Sequence, residues 1–394
     1  MQSLILALAL MLASVTVQAN AMRESVYRTL ESARGQIESG ALESAIALLQ
    51  QTTGQSSLTV YEQAQLLNLH GYALSLQGQD LAAMERYREL VALADLPEGM
   101  LQSAYRNLVQ LSYRQEAYGK ALAWLDRLPP EVLEADYSLQ RLRAHCLYLG
   151  GDYAAAARQL ETTAAREPDE ATLNLLRAAY QQLEDYPKVA RTLERLVSRF
   201  PTMEHLRALA TVYGLMDRPH KQLALLESLH GQGGLADGRD WQLLVSLYLR
   251  LEMPWRAART LGDGLDRGVL TASDSNLRYL AQAWFQANEN ERALTVLERL
   301  ARQTSDGEAE LLMARAHLRR LDWSAAARSL EQALAKQVVD QANAHLLLGI
   351  ARLQGGELGP ARQALARAEQ FPSTRAAARQ WLSVVDQRDG QPKG

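Results

Sequence analysis

The sequence predicts an all-α protein, an α-solenoid of about ten helix-turn-helix units closed by a C-terminal capping helix. Three observations predict it. A small residue recurs at spacings of 33 to 38 positions, a large apolar residue follows each one four places later, and glycine or proline falls where a helix pair must turn or stop. A step of four from small to large marks one face of a helix, so each unit ends in an amphipathic helix.

The first element is not a repeat. An apolar run from Leu4 to Val17 is shorter than the roughly 20 residues that a membrane-spanning helix needs. It is followed by Val17-Gln18-Ala19, a small-x-small cleavage pattern, so residues 1–19 read as a secretory signal peptide cut after Ala19, with Ala21 as a second position. The expectation is a mature chain starting near Asn20 in the periplasm, with no membrane insertion after cleavage. No Lys or Arg precedes the run, and an uncleaved anchor is the alternative.

The repeats follow over residues 20–372. The small positions are Ala45, Ala83, Ala121, Ala156, Val189, Gln222, Ala257, Ala293, Ala326 and Ala361. Their large partners are Leu49, Tyr87, Leu125, Leu160, Leu193, Leu226, Leu261, Leu297, Leu330 and Leu365. Alanine lets two helix backbones approach closely, and the large residue one turn later fills the gap beside it. Nine places before the small residue stand Tyr180, Tyr213, Tyr248 and Trp284, on a preceding helix. Gly40, Gly78, Gly151 and Gly356 fall at the turn between the two helices, and Pro168 and Pro201 end the second one. One such pair cannot bury its apolar face alone, so the units must stack. Residues 373–387 form the capping helix with Trp381 inward, and residues 388–394 a disordered tail.

Charge nearly balances at a formal −3, which supplies no net field to recruit nucleic acid. The single cysteine, Cys146, excludes an intramolecular disulfide and any Cys-based zinc cluster, and its apolar neighbours make it a packed thiol. No phosphate-binding loop, nucleophile elbow or His-Glu-x-x-His pattern occurs. "GDGLDRG" at residues 262–268 has the wrong glycine spacing for a dinucleotide loop and reads as a helix end and turn. The acids of "EVLEAD" and "REPDE" lie at helix starts, where negative charge suits the helix dipole. The expectation is no enzymatic activity, no cofactor and no metal.

One set of positions departs from what packing would choose. Fifteen places before the small residue the units read Leu30, Asn68, Arg106, Arg141, Asn174, Arg207, Gln242, Arg278, Leu311 and Leu346. Seven consecutive buried polar groups would be prohibitively costly, so the central ones must face solvent or a ligand. Four residues on, the same units carry Tyr72, Gln110, His145, Ala178, Thr211, Ser246 and Gln282. Arginines and amides together suit the carboxylates and backbone amides of an extended peptide. An ordinary solvated arginine face is the competing reading. The candidate peptide-binding residues are therefore Asn68, Tyr72, Arg106, Gln110, Arg141, His145, Asn174, Arg207, Gln242, Arg278 and Gln282.

"LGGDYAAAARQLETTAAREP" and "LLLGIARLQGGELGPARQALARAEQFP" resemble the tetratricopeptide repeat, with small residues on the second helix, an aromatic late in the first and a closing proline. The resemblance covers residues 26–372. It implies a right-handed superhelix whose first helices line a concave groove, and places the eleven candidates there. More narrowly, "YQQLEDYPKVARTLERLVSRFP", "TVYGLMDRPHKQLALLESLHGQGGL" and "YLRLEMPWRAARTLGDGL" look like the periplasmic tetratricopeptide proteins that accompany TonB-ExbB-ExbD energy-transduction systems in Gram-negative bacteria. That likeness, over residues 100–370, implies a non-catalytic scaffold that binds a protein segment, for example a periplasmic domain of TonB, ExbB or ExbD, and assists outer-membrane uptake of iron chelates or vitamins. An envelope assembly factor, in polysaccharide export or cytochrome maturation, is the alternative.

Overall fold

Helices with one apolar stripe each must find neighbours, and here each helix finds them next to it in the chain. The computed structural model describes residues 22–389 apart from residues 56, 167 and 236. The leader at residues 1–19, both cleavage positions and residues 390–394 lie outside the described residues.

The chain divides after Pro201 into two compact units. The first contains five helix pairs: α1 (Glu24–Glu38) with α2 (Leu42–Thr53), α3 (Val60–Leu76) with α4 (Asp80–Val91), α5 (Glu98–Arg114) with α6 (Tyr118–Leu125), α8 (Tyr137–Leu149) with α9 (Tyr153–Arg166), and α10 (Glu170–Gln182) with α11 (Tyr186–Arg199). A short helix, α7 (Pro130–Ala135), lies between the third and fourth pairs. It begins on Pro130, whose fixed φ suits a first helical position. "EVLEAD" forms most of this helix, which the repeat pattern gives no reason to expect.

The second unit also contains five pairs: α12 (Met203–Leu215) with α13 (Pro219–Gly231), α14 (Gly238–Arg250) with α15 (Pro254–Asp266), α16 (Asp274–Gln286) with α17 (Asn290–Gln303), α18 (Glu308–Arg319) with α19 (Trp323–Ala335), and α20 (Gln341–Gln354) with α21 (Leu358–Glu369). Helix α22 (Arg375–Asp389) packs on the last pair, with Trp381 half-buried against Leu353, Leu365 and Val385. It runs two residues past Gln387, tied at its end by the Arg362–Asp389 ion pair at 3.2 Å. Among the described residues there is no strand, and no helix is long and apolar enough to cross a membrane. Each unit is thus an all-α solenoid stack.

The spacing that predicts the repeats also predicts the core. All ten small positions and all ten large positions are buried, the most exposed being Gln222 at 7%. The close approach is tightest at two glycines on first helices. A Cβ at Gly71 would lie 2.9 Å from the Tyr87 ring, and one at Gly349 would lie 2.5 Å from Leu365 Cγ. In both cases the large residue of the second helix fills the space that the glycine leaves.

The turn within each pair is equally regular. Five places before the small residue the backbone is left-handed in every pair, at Gly40, Gly78, Glu116, Gly151, Glu184, Asp217, Glu252, Asn288, Leu321 and Gly356. Only four of these are glycine. The others adopt the same conformation because the next amide closes the first helix. Asp185 N–H donates to Tyr180 O at 3.0 Å, and Met253 N–H to Tyr248 O at 2.8 Å, which satisfies carbonyls otherwise left without a partner.

"GDGLDRG" is the end of α15 and the turn after it, as the sequence reading expects. Gly262 and Gly264 lie inside α15, and only Gly268, with φ of 70°, is in the turn. A Cβ at Gly264 would lie 2.8 Å from Leu270 and 3.0 Å from the Trp241 ring, so this glycine serves a close packing contact.

Candidate functional site

The eleven candidate residues stand on first helices of their pairs. Asn68 and Tyr72 are on α3, Arg106 and Gln110 on α5, Arg141 and His145 on α8, and Asn174 on α10, all in the first unit. Arg207 is on α12, Gln242 on α14, and Arg278 and Gln282 on α16, all in the second. None is buried; Gln242 and Gln282 are exposed and the others intermediate. The leucines at the equivalent outer positions behave differently, Leu30 and Leu311 being 3% and 2% exposed. The third leucine, Leu346, is half-buried like most of the polar residues, so polarity follows solvent access at nine of the ten positions.

The arginines are not waiting for a ligand's carboxylate, because their own chain provides one. Arg106 Nη1 donates to Asp136 Oδ2 at 2.6 Å. Arg141 Nη1 donates to Asp169 Oδ2 at 3.3 Å, and Arg278 Nη2 to Asp306 Oδ2 at 2.7 Å. In each case the aspartate belongs to the start of the next repeat's first helix, and its two oxygens divide the work. Oδ1 of Asp136 accepts from the N–H groups of Ser138 and Leu139, Oδ1 of Asp169 from Thr172 N–H, and Oδ1 of Asp306 from Glu308 N–H. One oxygen caps a helix while the other holds an arginine of the preceding repeat. Arg207 reaches the same region by other means, donating to the Gly234 carbonyl with Asp240 Oδ2 3.9 Å from its Nε.

Sequence reasoning placed these acids at helix starts and these arginines on an open face without joining them. The joining signal is in the order of residues. Arg106, Arg141, Arg207 and Arg278 are each followed, at the next first-helix start, by an aspartate: Asp136, Asp169, Asp237 and Asp306. Asn174 and Gln242 are followed instead by Thr202 and Ser273. Arginine occurs only where a carboxylate follows.

Around Arg141 the face is electrostatically quiet. Tyr137 O–H donates to Asp169 Oδ2 at 2.6 Å, and the Arg141 guanidinium lies 5.8 Å from the centre of the Tyr137 ring. Burial, then the Asp169 carboxylate, pushes the Tyr137 phenol up to about 12. Burial alone would raise Asp169, but the hydrogen bonds from Tyr137 and Thr172 and the charge of Arg141 bring it below the ordinary carboxylate value. Burial and the charge of Arg141 lower His145, which keeps its imidazole neutral near pH 7. Cys146, fully buried beside it, has its thiol pushed up to about 11 by burial and is a packing residue.

The aromatic residues late in the first helices carry a second set of links. Tyr248 O–H donates to Glu227 Oε1 at 2.8 Å, and Tyr180 O–H donates to Glu161, in both cases an acid on the second helix of the preceding repeat. A cation covers each ring: Lys188 on Tyr180 at 5.0 Å, Lys221 on Tyr213 at 4.9 Å, Arg256 on Tyr248 at 5.9 Å and Arg292 on Trp284 at 4.8 Å. Nothing in this arrangement positions a nucleophile or a general base. Among the described residues no three metal-ligating side chains converge.

No curated protein matches the chain in sequence. Similar solved structures include a tetratricopeptide repeat protein from Parabacteroides merdae, at 15% identity and a TM-score of 0.38, covering 66% of this chain and 99% of that one. The APC/C hetero-tetramer Cut9-Hcn1 is similar at 13% identity and a TM-score of 0.30, covering 91% and 83%. The TPR2AB domain of yeast Sti1, in its complex with pHSP90, is similar at 13% identity and a TM-score of 0.31, covering 73% and 99%. A family model, the tetratricopeptide repeat, matches residues 142–204 and 311–378. Those segments fall on helix pairs of the first and of the second unit and share the register of the pairs beside them.

Proposed function

We propose that the protein is a non-catalytic scaffold that holds an extended segment of another protein against the exposed faces of its first helices. The observation that carries this reading lies along one set of positions: the seven polar residues from Asn68 to Arg278 all have solvent access, whereas Leu30 and Leu311 are buried and Leu346 is half-buried. Packing alone gives no reason for amides at Gln242 and Gln282, which are exposed. Repeats occupy nearly all the described chain, and Arg106, Arg141 and Arg278 each join one repeat to the next.

The setting we propose is the periplasm, with the scaffold as accessory to a TonB-type energy-transduction system for uptake of iron chelates or vitamins. Its support is the short apolar leader with a small-x-small cleavage pattern and the resemblance of residues 100–370 to the tetratricopeptide proteins of such systems. The partner would be a periplasmic segment of TonB, ExbB or ExbD.

A photo-crosslinking side chain at Gln242 or Gln282, followed by mass spectrometry of the crosslinked product from cells, tests both levels. The scaffold reading expects a discrete protein partner at these positions and none from an exposed site on a second helix. The TonB reading expects that partner to be TonB, ExbB or ExbD, together with poor growth of a deletion strain on scarce chelated iron. Crosslinks to an exporter or a cytochrome-maturation component would replace the transport role with envelope assembly. Equal crosslinking from both helix faces would remove the scaffold reading. The intact mass of the exported protein checks the leader, with a full-length membrane-extracted species overturning cleavage.

A further inference from the structure

Most groove-face arginines are neutralised within the chain, so the guanidinium groups left unpaired mark where an anionic partner would be received. Two stand out in the second unit. Arg315 and Arg319 are exposed, one turn apart on α18, and neither has an ion pair or hydrogen bond among the described residues. Their neighbour Arg320 is engaged by Glu291, and Arg278 on α16 by Asp306. Arg315 occupies the register position of Gln282 on α16 and Ile350 on α20, and Arg319 that of Gln286 and Gln354. None of these equivalents is an acid.

The same face carries exposed apolar surface. Leu243 on α14 and Tyr279 on α16 are 40% and 58% exposed, and the equivalent residues of the next two repeats, Leu312 and Leu347, are partly exposed. Isolated exposed leucines are ordinary, but four apolar residues at one register position in consecutive repeats make a stripe. The arginines fall within its length, with Leu243 and Tyr279 on repeats before α18 and Leu347 and Ile350 on the repeat after it.

We propose that this face of the second unit binds an extended segment of a partner protein in which acidic side chains are flanked on both sides by apolar residues. Arg315 and Arg319 receive the carboxylates, and Leu243, Tyr279, Leu312 and Leu347 take the apolar side chains. The inference rests on the scaffold reading and adds the ligand's chemistry. Complementary charge selects an acidic segment. Apolar residues on both sides of the cations select an internal acid, since a chain terminus would leave half of the stripe uncovered.

Fluorescence anisotropy on the full chain tests the assignment. The probes are a labelled, amidated peptide with two central glutamates between leucines, and its glutamine counterpart. The glutamate peptide should bind on the order of tenfold more tightly, as expected for one or two charge-assisted hydrogen bonds at an exposed site. That advantage should disappear in the Arg315→Ala/Arg319→Ala variant and persist in Arg302→Ala, which alters an exposed arginine of α17. Tyr279→Ala should weaken both peptides alike, and unchanged circular dichroism and melting would show that the variants fold. Equal binding of the two peptides, an advantage that survives loss of both arginines, or no binding of either overturns the proposal. A peptide with a free terminal carboxylate that binds better than the internal acid overturns it too. Crosslinks at Gln242 or Gln282 alongside any of those results would leave the scaffold reading standing without this ligand; loss of both would remove the two together.

Discussion

Arg141 and Asp169 provide the sharpest test of whether the arginines join repeats. Their side chains are each 34% exposed, and the Nη1 to Oδ2 separation is 3.3 Å. At that exposure water screens the attraction strongly, which places the pair near the upper end of exposed ion pairs, about 0.5–1 kcal/mol. Replacing Arg141 by glutamate removes this and sets a carboxylate against the one that caps α10, for a total loss on the order of 1–2 kcal/mol. A charge-reversed variant should therefore fold but lose local stability, which contradicts the simple expectation that a groove residue can be changed without structural effect. Long repeat arrays do not always unfold in one step, so hydrogen exchange of the amides in α10 is the better readout than a melting midpoint. Protection there should fall by a factor of about 5–30 in Arg141→Glu, while α2 and α4 are unaffected. The double-mutant cycle with Arg141→Gln and Asp169→Asn should return a coupling of about 0.5–1 kcal/mol. Zero coupling, with α10 unchanged, would refute the inter-repeat role and return Arg141 to the pool of ligand-facing charges.

Three further outcomes follow from the packing and the charges. Leu160, fully buried at a large position, should cost about 2–5 kcal/mol as Leu160→Ala because the surrounding helices cannot collapse into the cavity, measurable by urea denaturation. Leu321 is held at φ of 58° with 65% of its surface exposed, so Leu321→Gly should relieve backbone strain without losing packing and raise stability by about 1 kcal/mol. Glu62 is held down at about 2, first by its hydrogen bond from Arg23 and against the opposing effect of burial, with the Thr59 and Arg23 amides adding to the depression. A depressed carboxyl contributes stability above its unfolded value near 4.5 that is lost as pH falls toward 2; protection of α1 and α3 should fade over that window, and Glu62→Gln should abolish the pH dependence.

How much of this was legible in the sequence depends on the distance over which each residue acts. The small and large positions act within a helix pair, where a step of four fixes the face, and every one of the twenty is buried. The turn was legible only where it is glycine. At Glu116, Glu184, Asp217, Glu252, Asn288 and Leu321 the same left-handed backbone is imposed by the hydrogen bond that closes the helix, and the side chain has no part in choosing it. The helix α7 was missed because it follows no repeat spacing and depends on Pro129-Pro130 breaking the chain ahead of the five residues Glu131 to Ala135. Lateral contacts between repeats were harder still, since an arginine and its aspartate lie 28 to 30 positions apart and no helical period connects them.

A repeated chain nevertheless contains its own comparison. Each repeat samples the same two positions, one on the first helix and one at the next first-helix start, and arginine stands at the first only where aspartate follows at the second. Asp136, Asp169, Asp237 and Asp306 follow arginines, Thr202 and Ser273 follow Asn174 and Gln242, and Asp340 follows Leu311, which has no charge to offer it. A hydroxyl cap offers its lone pairs to the helix amides and has no second oxygen for a guanidinium, so an arginine above it would add charge without a partner. A carboxylate cap does have that second oxygen, and an arginine takes it at Asp136, Asp169 and Asp306. The same logic reads Arg315 and Arg319 in the opposite direction. They occupy register positions from which no start-of-helix acid is drawn, and their guanidinium groups remain unpaired because nothing in the fold requires them to join one repeat to the next.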